Sequence, residues 1–260
     1  METPTFFDYI RGGELLKLIV AIDYSISNRD YEDPSSLHYL SPDKFNQYQQ
    51  VLSSVGEIIL NYEYQEVPMY GFGAKPKFPG YTKTKAKHAF KLWDKTDLAG
   101  VSGLEGMLDT YKNALKHVEL AGGPTLFKPI IKKAKKIAKK NEEDELYTVL
   151  LIITDGANED MAETIDAIVD AQNLPLSIII IAVGDYYDFS DKMKKLDGDE
   201  GKLVSSKGIV CQRDLVRFVP MKDFFGNPAA LAKEALAEIP RQLVEFKMKA
   251  GKRPNPPIKR

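Results

Sequence analysis

Apolar residues in this chain follow two periods that alternate from one end to the other. Continuous β-branched and aliphatic runs occupy 15–22, 67–72, 147–153, 176–183 and 215–219. Each reads as a short strand buried on both faces. A further strand, 88–93, carries lysine in and beside it, which suits a sheet edge that must not pair with another molecule. Between these runs apolar residues recur every three or four positions. Phe45, Tyr48, Leu52, Val55, Ile58 and Ile59 form one stripe, and Leu104, Met107, Leu108, Tyr111, Leu115 and Val118 a second. Ile130, Ile131, Ala134, Ile137 and Ala138 form a third, and Met161, Ile165, Ile168 and Val169 a fourth. Helices need such stripes to pack, so these are read as core. The alternation predicts an α/β fold: a Rossmann-like, doubly wound, mostly parallel six-stranded sheet with helices on both faces.

Turn and cap residues set the expected boundaries. Ser41-Pro42-Asp43 predicts a helix start, and that helix should end near Asn61. Residues 75–84 read as loop, and Gly122-Gly123-Pro124-Thr125 as a turn that places a hydroxyl ahead of a helix running to about Lys140. That helix carries Lys132, Lys133, Lys135, Lys136, Lys139 and Lys140, a pattern read as a solvated face. Leu196-Asp197-Gly198-Asp199-Glu200-Gly201 reads as a tight acidic turn, because it lacks the later ligands of a calcium loop. Asn227-Pro228 should open the last helix, and Pro240 should interrupt it. The organisation expected is a leading segment over 1–14, one domain over 15–249, and a basic, proline-rich tail over 250–260 that is disordered or a linker.

Composition narrows the function classes. With 260 residues, 43% of them hydrophobic, the chain can bury one large core. A formal net charge of -1 gives no sign of a nucleic-acid binder. Cys211 is the one cysteine, which excludes an internal disulfide and a cysteine-built zinc site and fits a reducing compartment. The longest apolar run is far short of the ~20 residues of a membrane helix. A soluble, cytoplasmic protein is expected.

The chemistry gathers at the strand ends. The first strand stops abruptly in Asp23-x-Ser25-x-Ser27, and the strand at 147–153 stops in Thr154-Asp155-Gly156. Taken alone, the first of these is also an ordinary polar turn. In a doubly wound sheet, though, loops from separate stretches converge beyond the strand ends. Asp23, Ser25, Ser27, Thr125 and Asp155 would then offer oxygen groups to one cation. Oxygen donors suit Mg²⁺, with Mn²⁺ or Ca²⁺ possible, and suit zinc poorly. Two carboxylates balance a divalent charge, and the hydroxyls add none. The long loop at 28–40 lies beside this cluster, as a rim or as a solvated insertion. Two functions follow: a metal-assisted binding module, or a hydrolase or phosphoryl-transfer enzyme using the ion. No phosphate-cradling loop is present, and His38, His88 and His117 form no evident nucleophile and base pair.

The motifs also carry a resemblance. Phe7-Asp8-Tyr9-Ile10-Arg11-Gly12-Gly13, Ser36-Leu37-His38-Tyr39, Tyr70-Gly71-Phe72-Gly73-Ala74 and Leu151-Ile152-Ile153-Thr154-Asp155-Gly156 resemble the copine family. So do Pro124-Thr125-x-x-x-Pro129-Ile130-Ile131, Leu174-Pro175-Leu176-Ser177-Ile178 and Arg213-Asp214-Leu215-Val216-Arg217-Phe218-Val219-Pro220. The resemblance covers residues 6 to 245. It implies a von Willebrand factor A fold, whose metal-ion-dependent adhesion site would be the five residues above. Copines commonly carry threonine where Ser25 stands, and serine keeps the hydroxyl. Copines also carry two C2 domains that bind phospholipid in response to calcium, and no such sequence lies in these residues. The resemblance therefore implies a fragment, the A domain of a longer protein recruited to membranes through its C2 domains. It implies intracellular protein partners, with a partner's Asp or Glu completing the metal's coordination. It implies no enzymatic activity.

Overall fold

The computed structural model describes residues 3–62, 66–79, 81, 85–92, 100–156, 158–185, 190–198 and 201–258. Helix α1 (Phe6–Arg11) starts on a capping box, with Thr5 and Asp8 each bonding the other's backbone N–H. Strand β1 (Leu16–Asp23) follows, buried along its whole length. Leu16, Leu18, Val20 and Ile22 enter one core, and Ile19 and Ala21 enter the other. Each such side chain taken from water contributes about 1.5–3 kcal/mol. A strand with two cores to fill alternates little with polar residues, hence the near-continuous run; Lys17 is its buried exception, with its ammonium on the Glu66 carbonyl.

The chain continues through α2 (Gln47–Val51), a π-turn (Leu52–Gly56) and α3 (Glu57–Leu60). Strands β2 (Met69–Phe72), β3 (Ala74–Pro76) and β4 (Phe90–Lys91) precede α4 (Gly103–Leu115) and β5 (Val118–Leu120). Then come α5 (Lys128–Glu143), β6 (Tyr147–Thr154), α6 (Met161–Val169), β7 (Leu176–Ala182) and α7 (Ser190–Asp197). Strand β8 (Val216–Pro220), α8 (Pro228–Leu236) and α9 (Ile239–Lys249) complete it.

The main sheet has six strands in the order β4-β2-β1-β6-β7-β8. All its pairs are parallel except β2 with β4, so the expected doubly wound sheet is present with one antiparallel edge. Residues of α2, α4, α8 and α9 fill the core on one face, and those of α5, α6 and α7 the core on the other. The strand order reverses between β1 and β6, whose register pairs Ile22 with Ile153. β1 ends there in Asp23 and Asp155 directly follows β6, at the place where such sheets bind ligands.

Several expected boundaries move. The helix foreseen at Ser41 begins at Gln47. Asn46 and Gln49 form a capping box and take that role, while the Ser41 hydroxyl accepts from Asp43 N–H in a local turn. Phe45 and Ile58, placed in the apolar stripe, are 45% and 39% exposed. The π-turn adds a residue per turn, and a Cβ on its Gly56 would stand only 3.0 Å from the Met107 methyl of α4. Ala74–Pro76, foreseen as loop, pairs antiparallel with Val118–Leu120, foreseen as the end of a helix. Cross-strand Lys75 and neighbouring Lys77 both hold Glu119, each at 2.7 Å. Helix α7 was not foreseen; Met193 and Leu196 bury into the second core. Behind it, Gly201 N–H bonds Gly198 carbonyl in a turn, and Asp199 and Glu200 lie outside the described residues. The edge strand at 88–93 is described only as far as Leu92, with β4 inside it; Trp93 lies outside, as do residues 80 and 82–84 of the expected loop. Pro240 falls in the first turn of α9, after a break from α8.

The tail, expected to be disordered or a linker, lies along α1. Tyr9 hydroxyl donates to Lys252 carbonyl at 2.8 Å, and Ile258 N–H to Arg11 carbonyl at 2.9 Å. Close by, Lys247 of α9 pairs with Glu14 at 2.5 Å, both side chains buried. Gly12 permits this approach, since a Cβ there would meet the Asn255 backbone at 2.7 Å.

Candidate metal centre

Asp23, Ser25 and Asp155 are all buried. Asp23 accepts from the Ser25 N–H at 2.8 Å and from the Thr154 hydroxyl at 2.6 Å. Asp155 Oδ1 accepts from Ser27 Oγ at 3.0 Å and from Ser25 Oγ at 3.4 Å, and the two serine hydroxyls are 3.0 Å apart. Asp155 Oδ2 is buried without a hydrogen-bond partner among the described residues. Gly73 closes one side: its φ is +73°, and a Cβ would lie 3.1 Å from Asp23 Oδ1.

The structure thus brings four of the five expected residues into one bonded cluster. Thr125 is the fifth, and among the described residues no hydrogen bond joins its hydroxyl to the others. Its loop is nonetheless fixed beside them. Thr125 and Glu159 exchange two bonds, at 2.9 and 2.8 Å, and Ala121 carbonyl accepts from Ile26 N–H at 3.3 Å. The Asp160 carboxylate then caps α5 from outside, taking Phe127 N–H at 3.0 Å and Lys128 N–H at 2.9 Å.

Two carboxylates in a dry cluster repel. Burial pushes the Asp155 carboxyl up to about 7, and the charge of Asp23 adds to the rise. Burial raises Asp23 as well, against the hydrogen bonds from Thr154 and Ser25. The donors are oxygen throughout, which is the chemistry of a hard divalent ion. Among the described residues no group of three or more His, Cys, Asp and Glu side chains could hold a metal; this cluster pairs two carboxylates with hydroxyls instead.

A brace beneath the cluster escaped the sequence reading. The loop at 28–40 folds back on itself, with Leu37 N–H bonding Asn28 carbonyl at 3.1 Å. It drives His38 into the core between Tyr24 and Tyr48, at ring separations of 5.1 and 4.2 Å. His38 Nε2 lies 2.9 Å from the Asp23 carbonyl and Nδ1 2.8 Å from Tyr111 Oη. Burial brings its pKa down to about 3, so the ring is neutral with a single N–H. The carbonyl can only accept, which puts that N–H on Nε2 and makes Nδ1 accept from Tyr111. Asn46 Nδ2 donates to Tyr111 in turn, at 3.0 Å. A relay from the α2 cap therefore fixes the backbone of Asp23. Tyr48 and Asn28 brace Ser25 in the same way, through bonds of 2.7 and 3.3 Å. Thr154, His38, Asn28 and Asp160 carried a faint signal: each is a polar residue inside an otherwise apolar or motif-bearing stretch.

A family model described as Copine matches residues 36–255. Copine-A of Dictyostelium discoideum is 42% identical over 254 residues, an alignment covering 96% of this chain and 41% of that protein. The chain thus spans about two fifths of the curated relative. Among solved structures, manganese-loaded TRAP protein of Plasmodium vivax superposes with a TM-score of 0.51 at 12% identity, over 85% of this chain and 72% of that one. Mussel byssus proximal thread matrix protein 1, with a zinc-occupied MIDAS motif, gives 0.40 at 14% identity, over 90% of this chain and 46% of that one. The fold is of the von Willebrand factor A type, and the chain belongs to the copine family.

Proposed function

We propose that these residues form a protein-interaction module that holds one divalent cation, Mg²⁺ first and Mn²⁺ or Ca²⁺ as alternatives, at Asp23, Ser25, Ser27, Thr125 and Asp155. The observation that carries this reading is the unpartnered Asp155 Oδ2, buried beside a second carboxylate with only hydroxyl and amide donors around the pair. A bound divalent ion supplies the positive charge that the pair lacks and a position where an outside oxygen replaces water. The chain's own residues do the rest. Ser25 and Ser27 hold Asp155, Thr154 holds Asp23, and the His38 relay fixes the backbone between them. With the two carboxylates neutralised, an Asp or Glu of an intracellular partner completes the sphere, and the contact strengthens as the interface excludes water. The exposed part of the 28–40 loop forms the rim.

The alternative, a metal-dependent hydrolase or phosphoryl-transfer enzyme, needs a base near the ion. His38 is the histidine bonded to this cluster, and it is buried, neutral and engaged at both nitrogens. The module reading extends over 15–249, with 250–260 as a tail. Among the described residues no helix is long and apolar enough to cross a membrane. A cytoplasmic protein whose C2 domains, outside these residues, meet phospholipid is part of the same proposal.

Titration calorimetry with Mg²⁺ on wild type and Asp155→Ala tests the site, and equal binding by both would reject it. Pull-down from cell extract with Mg²⁺ against chelator tests the module. Binding that survives chelation but fails when Lys132 and Lys136 are reversed to Glu would move the partner to the α5 face.

A further inference from the structure

The outer face of α5 carries one kind of charge. From Lys128 to Asn141 the chain holds seven lysines, with no acid and no arginine. Lys132, Lys136, Lys139 and Lys140 are exposed, while Ile130, Ile131, Ala134 and Ala138 bury the opposite side. At about 100° and 1.5 Å per residue, the four exposed lysines fall within about 100° of arc and ~12 Å of length. Among the described residues none of the four is paired with an acid; Lys135 is the α5 lysine that meets one, Asp170, at 3.4 Å. Lys133 carries the row towards the sheet edge, its ammonium 5.5 Å from the centre of the Tyr70 ring of β2. Burial lowers its pKa, and the neighbouring charges of Lys91 in β4 and Lys136 lower it further. Glu142, Glu143, Asp144 and Glu145 follow and end the row. The whole chain has a formal net charge of -1, so these lysines are a local excess.

Such a row fits an anionic surface without fixed geometry. Arginine grips a carboxylate or a nucleic-acid phosphate through a planar fork, whereas lysine is a flexible point charge. No aromatic residue lies between Lys128 and Asn141 to stack on a base. The row is the convex outside of a helix, which a plane of laterally mobile charges meets better than a fixed counter-surface does. We infer that the α5 lysine row docks on the anionic phospholipid of a membrane, without calcium. Each lysine near such a surface is worth about fivefold in partition, or about 1 kcal/mol. The contact uses none of the five residues of the metal cluster and does not rest on an ion there. Asp160 holds the Phe127 and Lys128 N–H groups beside that cluster, and α5 runs back along the sheet from it. A membrane on the flank of α5 therefore leaves the strand ends open to a partner.

Vesicle co-sedimentation of the full chain, in chelator throughout, tests this. The probes are phosphatidylcholine vesicles with and without about 30% phosphatidylserine. The chain should pellet with the mixed vesicles at low salt and stay in solution with phosphatidylcholine alone. Binding should fall several-fold once the Debye length is cut to about 8 Å at 0.15 M salt. Lys132→Glu with Lys136→Glu should weaken binding to the mixed vesicles at least about 25-fold, fivefold for each lysine lost. Lys116→Glu with Lys233→Glu makes the same change of net charge at exposed positions of α4's end and α8, and should bind nearly as well as wild type. If melting shows the α5 variant unfolded, Lys132→Gln with Lys136→Gln takes its place. Equal pelleting with both kinds of vesicle, or equal losses in the two reversal pairs, would overturn the inference. So would mixed vesicles that bring down nothing while poly-glutamate or duplex DNA binds wild type and not the α5 variant, which would give the face to a protein or a nucleic acid.

Discussion

Two of the carboxylate clusters among the described residues, one buried and one partly buried, have their charges met by different means. At the edge strand β8, Arg217 reaches Asp197 at 3.4 Å and Glu238 at 3.3 Å, and pairs with Glu234 too. Arg241 adds Asp214 at 2.7 Å. That cluster is served by cations of the chain itself. At the ends of β1 and β6, Asp23 and Asp155 meet hydroxyls and amides instead. One arrangement holds two arginines among its carboxylates, and the other has hydroxyl and amide donors only, in the position where α/β sheets bind ligands. The contrast sets an ion network built from the chain's own charges against the cluster proposed above to hold a cation.

Mutation should affect the two clusters in opposite senses. Arg217→Met takes a guanidinium from Asp197 and from Glu238, which keeps Arg241 at 3.5 Å, so the loss should fall at the lower end of the about 3–5 kcal/mol that removing one partner of a buried pair costs. Its Tm should fall on the order of 10 °C, at about 2–4 °C per kcal/mol for a domain of this size. Asp155→Asn in chelator should instead hold or raise the Tm, because it removes a repulsion. A matching loss in both would erase the distinction.

The next effect is that of the ion. At a Mg²⁺ concentration 100 times its Kd, wild type should gain about 2.7 kcal/mol in urea denaturation. Asp155→Asn should gain nothing, and Glu238→Gln should gain as much as wild type.

The pH dependence is subtler. Burial raises Asp155 to about 7, and burial with the neighbouring Asp214 raises Glu238 to about 7. Unfolded, such groups titrate near ~4. Both therefore keep a proton in the folded chain after the unfolded chain has lost it. Their stabilising share is complete below about pH 4 and is lost as pH rises through about 7. In chelator, stability should fall across that window. Asp155→Asn and Glu238→Gln should each remove part of the slope, and Mg²⁺ should remove only the Asp155 part. A wild-type curve that rises from pH 5 to 8 in chelator would contradict both assignments.

The smallest expected change is Ser27→Ala. It removes one hydroxyl from Asp155, worth roughly 1 kcal/mol, and should weaken Mg²⁺ about fivefold with little change in Tm.

Much of this was legible in the chain. The fully buried strands announce themselves because two-sided burial leaves one polar position in each of 147–153 and 176–183, Thr148 and Ser177, both buried and hydrogen-bonded. The five site residues follow from strand ends and from the family resemblance, and four of them meet in one bonded cluster. What stayed hidden depends on distant partners. Asn46 displaces Ser41 as a cap because Gln49, Tyr39 and Tyr111 all bond it. Strand β5 exists because Ala74–Pro76 lies beside it, and three residues carry no period of their own. His38 looked like a loop residue, since nothing local shows that its neighbours in space are three tyrosines.

The contact between α1 and the tail has a mechanical consequence. Tyr9, Arg11 and Glu14 are tied to Lys252, Ile258 and Lys247. Tension arriving from the two sides of the domain would be borne first by this knot. The knot lies at the start of β1, and the Asp23–Asp155 cluster lies at its far end, roughly 26 Å away at about 3.3 Å for each of eight residues. Between them β1 is bonded along both edges, to β2 and to β6. A pull on residues 3 and 258 would open the knot, a few bonds at a time, before it could strain the loops that carry Ser25, Ser27 and Asp155.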